Sequence, residues 1–258
     1  MQRSVDIGQV ISRAVGAFGA QAGLILPAAL LLFIPLAVLE GLLGTDDSAG
    51  LTIIFLAISV IASFWFQGMV VEAVRDIQDG RRDITLGGLL RAPAPVLGTL
   101  IAAGLVAGIG VLIGLVLFIV PGLVLLTWWA VVVPVVVVER PGLGPAFTRS
   151  RELVRGHGWQ VFALLVAVLV MLVVASAIVG VIAYAISDSA AGSAVGSLVS
   201  NVLVVPFFSV TVATLYFALR EAHGEAPVPA LAERSYGPGG GFAPPRSPTP
   251  ERPDIGLS

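Results

Sequence analysis

The sequence predicts an all-α, polytopic membrane protein with six transmembrane helices. Hydrophobic residues make up 57% of the 258-residue chain, charged residues make up only 12%, and the mean hydropathy is +1.00. Soluble domains carry about 25% charged residues, so this chain lacks the polar surface to cover so large a core in water. The apolar residues also occur in long stretches, and a helix needs about 20 of them to cross the hydrocarbon layer of a bilayer.

Six apolar stretches are the predicted spans, at residues 21–44, 51–71, 97–119, 123–138, 160–186 and 195–219. Each is interpreted as a helix because a helix satisfies its own backbone hydrogen bonds, which lipid cannot do. The third and fourth stretches meet at Pro121-Gly122, which predicts an uncharged turn, either inside the apolar layer or at the outer surface. The fourth stretch is short and contains Pro134.

The basic residues predict how these spans are oriented. All 14 are arginine, and they occur only towards the two termini and in alternate gaps between the apolar stretches. The gaps at residues 44–50, 121–122 and 187–194 contain none. Because positive residues in short loops stay in the cytoplasm, the sequence predicts six membrane crossings, with the N and C termini both cytoplasmic.

Short amphipathic helices are predicted on the cytoplasmic surface before each pair of spans. The first covers about residues 5–18, the second follows Thr85 as its N-cap and ends before Pro93, and the third begins at Gly144. Two interpretations of this pattern remain open. Either the chain consists of three repeated units that start near residues 5, 84 and 144, or its cytoplasmic loops are amphipathic without an internal repeat.

The composition divides the chain into a membrane domain at residues 1–222 and a tail at residues 223–258. The tail is rich in proline and glycine and poor in apolar residues, so it cannot bury enough surface to fold. It is therefore predicted to be a disordered cytoplasmic tail. A plain solvated tail and a ligand for a proline-binding module are the two alternatives for its role.

The segment between residues 121 and 159 contains the densest set of distinctive residues. They are Pro121, Gly122, Glu139, Arg149, Ser150, Arg151, Arg155, Gly156 and Trp159. We expect Arg149 to form an ion pair with an acid at the cytoplasmic end of a span, at Glu72, Glu139 or Glu221, because an unpaired buried charge costs several kcal/mol. In the alternative, Arg149, Arg151 and Arg155 bind lipid phosphate, at about 1 kcal/mol per residue. A transport or catalytic role is the third alternative.

This segment resembles the membrane domain of the bacterial glycerophosphoryl diester phosphodiesterase family. It reads Pro-Gly, a short apolar span that ends in Glu139, and the pattern A-x-x-R-S-x-x-L-x-x-G from Ala146 to Gly156, followed by Trp159. The end of the sixth span is similar as well, at Pro206, Leu215-Tyr216 and Leu219-Arg220. The resemblance covers about residues 5–222 and implies a membrane domain of six helices.

The resemblance does not extend to enzymatic activity. Family members with that activity carry a separate catalytic barrel that begins with His-Arg-Gly, and neither His157 nor His223 precedes Arg-Gly in this sequence. Within the membrane domain this sequence departs from the family pattern at one place. The family often has a basic residue soon after the Pro-Gly pair. This chain has Thr127-Trp128 there, so a role tied to that charge is not carried over.

The composition excludes several classes of function. The chain has no cysteine, which excludes disulfides, thiol catalysis and thiolate metal sites, and its net charge of −2 indicates no nucleic-acid partner. We expect no catalytic, cofactor-binding or metal-binding residues. The leading prediction is a non-catalytic scaffold, lipid-organising or partner-binding protein, with membrane lipids and a protein in the membrane or at the tail as partners. The alternatives are a small transporter or lipid-translocating protein, and an enzyme acting on phospholipid.

Overall fold

The computed structural model of the protein is all-helical over the residues that it describes, which are 6–43, 49–78, 84–186 and 190–225. In chain order its helices are α1 (Ile7–Leu43), α2 (Ala49–Gln78), α3 (Leu86–Arg91), α4 (Leu97–Leu117), α5 (Ile119–Trp128), α6 (Val132–Glu139), α7 (Leu143–Val154), α8 (Gly158–Ile186) and α9 (Ala190–Ala222). A 3₁₀ turn at Ala94–Val96 joins α3 to α4. The described residues belong to one compact unit, Met1–Pro227. Most of the predicted disordered tail, residues 226–258, lies outside them.

Five segments of the described chain are long and apolar enough to cross a membrane. They are Ile7–Glu40, Gly50–Gln78, Leu86–Leu117, Ile119–Glu139 and Gly158–Ile182. The sixth predicted span, residues 195–219, coincides with the helix α9 but is not among these five. Several apolar helices therefore indicate a membrane protein, while the count of six crossings stays a prediction.

The buried core lies towards the helix ends that are predicted to be cytoplasmic. In α2 the buried apolar residues cluster at Phe66–Val74, and in α9 they cluster at Val210–Leu219. The opposite ends expose large apolar side chains, such as Ile53 at 66%, Val116 at 77% and Val181 at 69%. Exposed apolar surface of this extent marks an interaction with membrane or partner, and lipid tails suit helices of this length.

The helix α1 runs without interruption from Ile7 to Leu43, with Pro27 inside it. The prediction of a separate surface helix at residues 5–18 is therefore wrong. Its apolar stripe was correctly located, since Val10 and Ala14 are buried. The helix α1 packs against α9, where the ring of Phe18 meets Phe207 edge-on with centroids 6.4 Å apart.

The chain reversal between the third and fourth predicted spans lies at Phe118, not at Pro121-Gly122. Phe118 has extended backbone angles, φ −154° and ψ 127°, and the Pro-Gly pair sits in the first turn of α5. A proline fits there because the first N–H groups of a helix have no partner within it. Gly122 is buried and brings α5 against α4, since a Cβ on it would lie only 2.5 Å from the backbone nitrogen of Leu115.

The fourth predicted span, residues 123–138, consists of two helices rather than one. The helices α5 and α6 are separated by non-helical residues at Trp129–Val131. The physical reason is Pro134, which has no N–H to donate to the carbonyl four residues earlier and whose ring crowds that turn. Beyond the break, α6 is almost entirely buried, with Val135 at 0% exposure.

The two other predicted surface helices are present. Thr85 caps α3 as expected, because its hydroxyl accepts a hydrogen bond from the Gly88 nitrogen at 3.2 Å. The helix α7 occupies the third position, Leu143–Val154. A repeat of three units is not established by these helices, since the first expected unit begins with a continuous helix, and it stays a prediction.

We predict that Gly122→Ala destabilises the protein by about 1–3 kcal/mol, as overpacking does elsewhere. The added Cβ meets backbone atoms of α4, which cannot move aside as a flexible side chain could. Thermal unfolding of the purified protein in detergent measures the effect. Gly108→Ala in α4 is the matched control, because a Cβ there meets nothing within 4 Å. Equal stability of the two variants would contradict the close α4–α5 contact.

Candidate functional site

The candidate site is built around α7, a short amphipathic helix. Gly142, with φ of 85°, precedes its first residue, and this left-handed angle favours glycine. One face of the helix is buried, with Ala146, Ser150, Leu153 and Val154 at 0–1% exposure. Arg151 and Glu152 lie on the exposed side. This distribution follows the helical spacing that the sequence predicts.

The buried face of α7 rests on the break between α5 and α6. Ser150 donates its hydroxyl to the backbone carbonyl of Trp128 at 2.8 Å. That carbonyl lies in the last turn of α5, where carbonyl groups have no partner within the helix. The ring of Trp129 meets Phe147 of α7 edge-on, with centroids 4.9 Å apart. The break therefore creates the surface on which α7 packs.

The ion pair expected of Arg149 is present, and it has two acidic partners. The Arg149 Nε lies 2.9 Å from an Oε2 of Glu139, at the end of α6. Its Nη2 lies 2.6 Å from Oε1 of Glu225, beyond the end of α9. The side chains of Arg149, Glu139 and Glu225 are 27%, 23% and 26% exposed. Partly buried charges of this kind are stable when each has an opposite partner.

Two residues of α9 extend this pair into a network. The Tyr216 hydroxyl donates to Oε1 of Glu139 at 2.8 Å, and the Arg220 Nε donates to Oε2 of Glu225 at 2.7 Å. Arg220 also approaches the Tyr216 hydroxyl, at 3.4 Å. Three helices, α6, α7 and α9, are thus joined by hydrogen bonds between charged and polar side chains. Hydrogen bonds that involve a charged group are roughly twice as strong as neutral ones.

Sequence reasoning missed Glu225, which it assigned to the tail. The residue is positioned by the end of α9, where Gly224 has a φ of 73°. The Gly224 nitrogen donates to the Glu221 carbonyl at 3.0 Å, and the Glu225 nitrogen donates to the Arg220 carbonyl at 3.0 Å. These two bonds form the glycine-terminated end that is common in helices. A glycine after a helical run, followed by an acid, is the sequence signal that locates Glu225.

Charge pairing favours the charged forms of Arg149 and Glu225, which both lie outside the predicted spans. Burial alone would lower the pKa of Arg149, but its hydrogen bonds to Glu225 and Glu139 outweigh burial and raise the pKa above the usual value. Burial alone would raise the pKa of Glu225, but hydrogen bonds from Arg149 and Arg220 lower it. Both shifts favour the charged forms, so the pair is held as an ion pair.

The other two acids considered for Arg149 have different partners. Glu221 lies 2.8 Å from Arg13 of α1, and Glu72 lies 3.4 Å from Arg75 in α2. The first pair is exposed on both sides, at 50% and 60%, and contributes little. Among the three expected acids, Glu139 is the one that the fold brings to Arg149.

The remaining residues of the predicted motif lie in the last turn of α7, directly after it and at the start of α8. The Arg151 guanidinium carbon is 4.2 Å from the centre of the Trp128 ring, and Arg155 is exposed at the end of the helix. Gly156 has a φ of 90°, which lets the chain turn into α8. Trp159, in the first turn of α8, is 77% exposed.

An apolar groove of about 330 Å³ lies beside these residues, between α5 and α8. Its lining residues are Val120, Leu123, Val124, Thr127, Trp128, Gly158, Trp159 and Phe162. The Thr127 hydroxyl donates to the Leu123 carbonyl at 2.8 Å and is satisfied within its own helix. The groove is therefore suited to hydrocarbon. Within the described residues, no group of three or more His, Asp or Glu side chains is arranged to hold a metal ion.

Comparison of the chain with protein-family models, with curated proteins and with solved structures finds no match.

We predict that Arg149→Ala lowers the free energy of unfolding by about 1–3 kcal/mol. This is less than the 3–5 kcal/mol of a fully buried pair, because solvent still reaches about a quarter of each side chain. Thermal unfolding in detergent measures the change. Arg155→Ala is the control at the end of the same helix, since Arg155 is exposed and outside the network, and its effect is expected to be about 0.5 kcal/mol or less.

The same experiment separates the network from a general effect of charge. Combining Arg149→Ala with Glu225→Gln is expected to cost less than the sum of the two single changes, because the first removes the partner that the second disrupts. Additive losses, or an Arg149→Ala protein as stable as the parent, would show that the ion pairs do not hold α7.

Proposed function

We propose that this chain is a non-catalytic, multi-pass protein of a bacterial plasma membrane that organises lipid at the cytoplasmic surface. The observation that carries the proposal is the attachment of α7. The ion pairs of Arg149 hold one side of the helix on the bundle, and Arg151 and Arg155 remain exposed. A basic helix held at a membrane surface attracts anionic headgroups, at about 1 kcal/mol for each arginine close to the surface.

The polar groups at the site support a structural role for this protein more than a catalytic one. Glu139 accepts from Tyr216 and Arg149, and Glu225 accepts from Arg149 and Arg220. A general acid or base must reach its substrate within hydrogen-bond distance, and these oxygens are occupied by partners in the fold. We also propose that residues 121–159 belong to a membrane domain like that of the glycerophosphoryl diester phosphodiesterase family, which is separate from the catalytic barrel.

The groove between α5 and α8 does not support the transport alternative. Transport through the bundle requires polar groups along a path that water can enter. The groove between α5 and α8 is lined instead by valine, leucine, tryptophan and phenylalanine, with one internally satisfied threonine. Such a groove favours the retention of a lipid chain over the passage of a polar solute.

We propose six crossings with both termini in the cytoplasm. The five long apolar segments and the helix α9 supply the spans. The orientation is supported by the arginines of the described residues. Arg75, Arg91 and Arg220 each lie in the last turn of a helix, in α2, α3 and α9. Positive residues near the membrane stay on the cytoplasmic side.

Single cysteines test this topology directly, because the sequence contains no cysteine of its own. Asp46→Cys and Ser189→Cys are expected to react with a membrane-impermeant maleimide in spheroplasts. Ser4→Cys and Ser235→Cys are expected to react only after the membrane is permeabilised. Outside labelling of either terminal cysteine, or protection of either gap cysteine, would contradict the proposed topology.

Lipid analysis tests the proposed function. The protein is extracted from native membranes in polymer nanodiscs, which keep the surrounding lipid, and its phospholipids are compared with those of the bulk membrane. We expect several-fold enrichment of anionic phospholipid and no hydrolysis of added glycerophosphodiesters. Three results would each count against the proposal. They are nanodisc lipids with the composition of the bulk membrane, hydrolysis of the added glycerophosphodiesters, and protein-dependent uptake of solute into proteoliposomes.

A further inference from the structure

We propose that the groove between α5 and α8 binds an acyl chain of an anionic phospholipid, and that Arg151 and Arg155 hold the phosphate of that lipid. The inference rests on the proposed function, because it names the ligand and the place through which lipid would be organised. It assigns one role to four features: the groove, the exposed tryptophan, the arginine stacked on Trp128 and the exposed Arg155 at the end of α7.

The walls of the groove suit a hydrocarbon chain. Its volume of about 330 Å³ lies within the range of about 300–1,000 Å³ for small-molecule sites. Leu123 and Val124 of α5 and Phe162 of α8 are among its lining residues. Gly158 leaves one wall open, because a Cβ on that residue would meet nothing within 4 Å. Filling the groove with apolar atoms removes lining surface from contact with water.

The rim of the groove carries the positive charge. Trp128 lines the groove, and the guanidinium of Arg151 stacks over its ring at 4.2 Å. A stacked guanidinium keeps its N–H groups in its own plane, where they can donate to phosphate oxygens. Arg155 follows four residues later and is exposed, and residues four apart on a helix are neighbours. Glu152 is exposed beside them, which leaves a net charge of +1 on these three residues.

Arg149 takes no part in this site. Two carboxylates, those of Glu139 and Glu225, already receive its hydrogen bonds. The arginines of α7 therefore divide by function. Arg149 holds the helix in place. Arg151, in the last turn of α7, lies over Trp128 of the groove, and Arg155 is exposed directly after the helix.

The surroundings favour a membrane lipid as the occupant. Trp159 lines the groove and is 77% exposed, and exposed tryptophans are enriched where a membrane meets water. Further along α8, Leu169 at 54% and Val170 at 58% exposure continue the apolar surface away from the arginines. The groove thus joins a charged rim to a long apolar helix face. A phospholipid has the same order of parts, with the phosphate at one end and the chains extending from it.

Tryptophan fluorescence tests the site on the purified full-length chain in detergent. The probes are phosphatidylglycerol and phosphatidylcholine, each with dibrominated acyl chains, because bromine quenches a tryptophan that it contacts. Two of the four tryptophans of the chain, Trp128 and Trp159, line the groove. We expect quenching at several-fold lower concentrations of phosphatidylglycerol than of phosphatidylcholine.

Substitutions at the rim test the headgroup contact. Arg151→Gln and Arg155→Gln are each expected to weaken phosphatidylglycerol binding about five-fold, the contribution typical of one basic residue beside anionic lipid. Binding of phosphatidylcholine is expected to be unchanged. Arg91→Gln is the matched control, because Arg91 is an exposed arginine at the end of α3 and does not line the groove.

Substitutions in the walls test the chain contact. Gly158→Leu is expected to fill the groove and to reduce the quenching by both lipids. Val124→Phe, on the α5 side of the groove, is expected to reduce the quenching in the same way and replaces Gly158→Leu if that variant does not fold. Thermal unfolding verifies that each variant is folded. Three results would overturn the proposed lipid site. They are equal binding of the two lipids, a loss of phosphatidylglycerol binding in Arg91→Gln equal to that in the rim variants, and full quenching in folded Gly158→Leu or Val124→Phe protein. If lipid remains enriched in native nanodiscs while these variants have no effect, only this site fails and the proposed function stands.

Discussion

The cytoplasmic end of the bundle depends on where the guanidinium of Arg149 lies. Its nitrogens reach Glu139 at the end of α6 and Glu225 beyond the end of α9. A charge withdrawn from water in this way is tolerated only while its partners are in place. The position of α7 is therefore coupled to the positions of two other helices, and the hydroxyl of Tyr216 adds a third contact to the same cluster.

The break between α5 and α6 provides the surface on which α7, and with it Arg149, is positioned. Pro134 interrupts the helix that the apolar residues would otherwise continue, and the interruption leaves the Trp128 carbonyl for Ser150 to bond. It also places the Trp128 ring beneath Arg151. One proline thus connects the packing of α7 with the rim of the proposed lipid site, because both use residues that flank the break.

Local patterns explain which parts of this arrangement could be predicted. The buried face of α7, the Thr85 cap and the pairing of Arg149 with Glu139 all involve residues close together in the chain, up to ten positions apart. The reversal at Phe118 was missed because Pro-Gly pairs commonly mark turns, whereas the contact of Gly122 with α4 favours a helix there. The separate helix predicted at residues 5–18 is wrong because those residues form the first part of the continuous helix α1.

The sequence by itself determined the class of the protein, an all-helical chain with membrane-like apolar segments, together with the face on which each short helix is apolar. These properties follow from composition and from a helical period of 3.6 residues, which need no knowledge of distant contacts. Only the tertiary structure decided that Glu225, 76 positions away, completes the pair with Arg149. It also decided that Trp128 and Trp159 line one groove. Contacts between residues so far apart depend on how the helices pack, and one sequence carries no local signal for that packing.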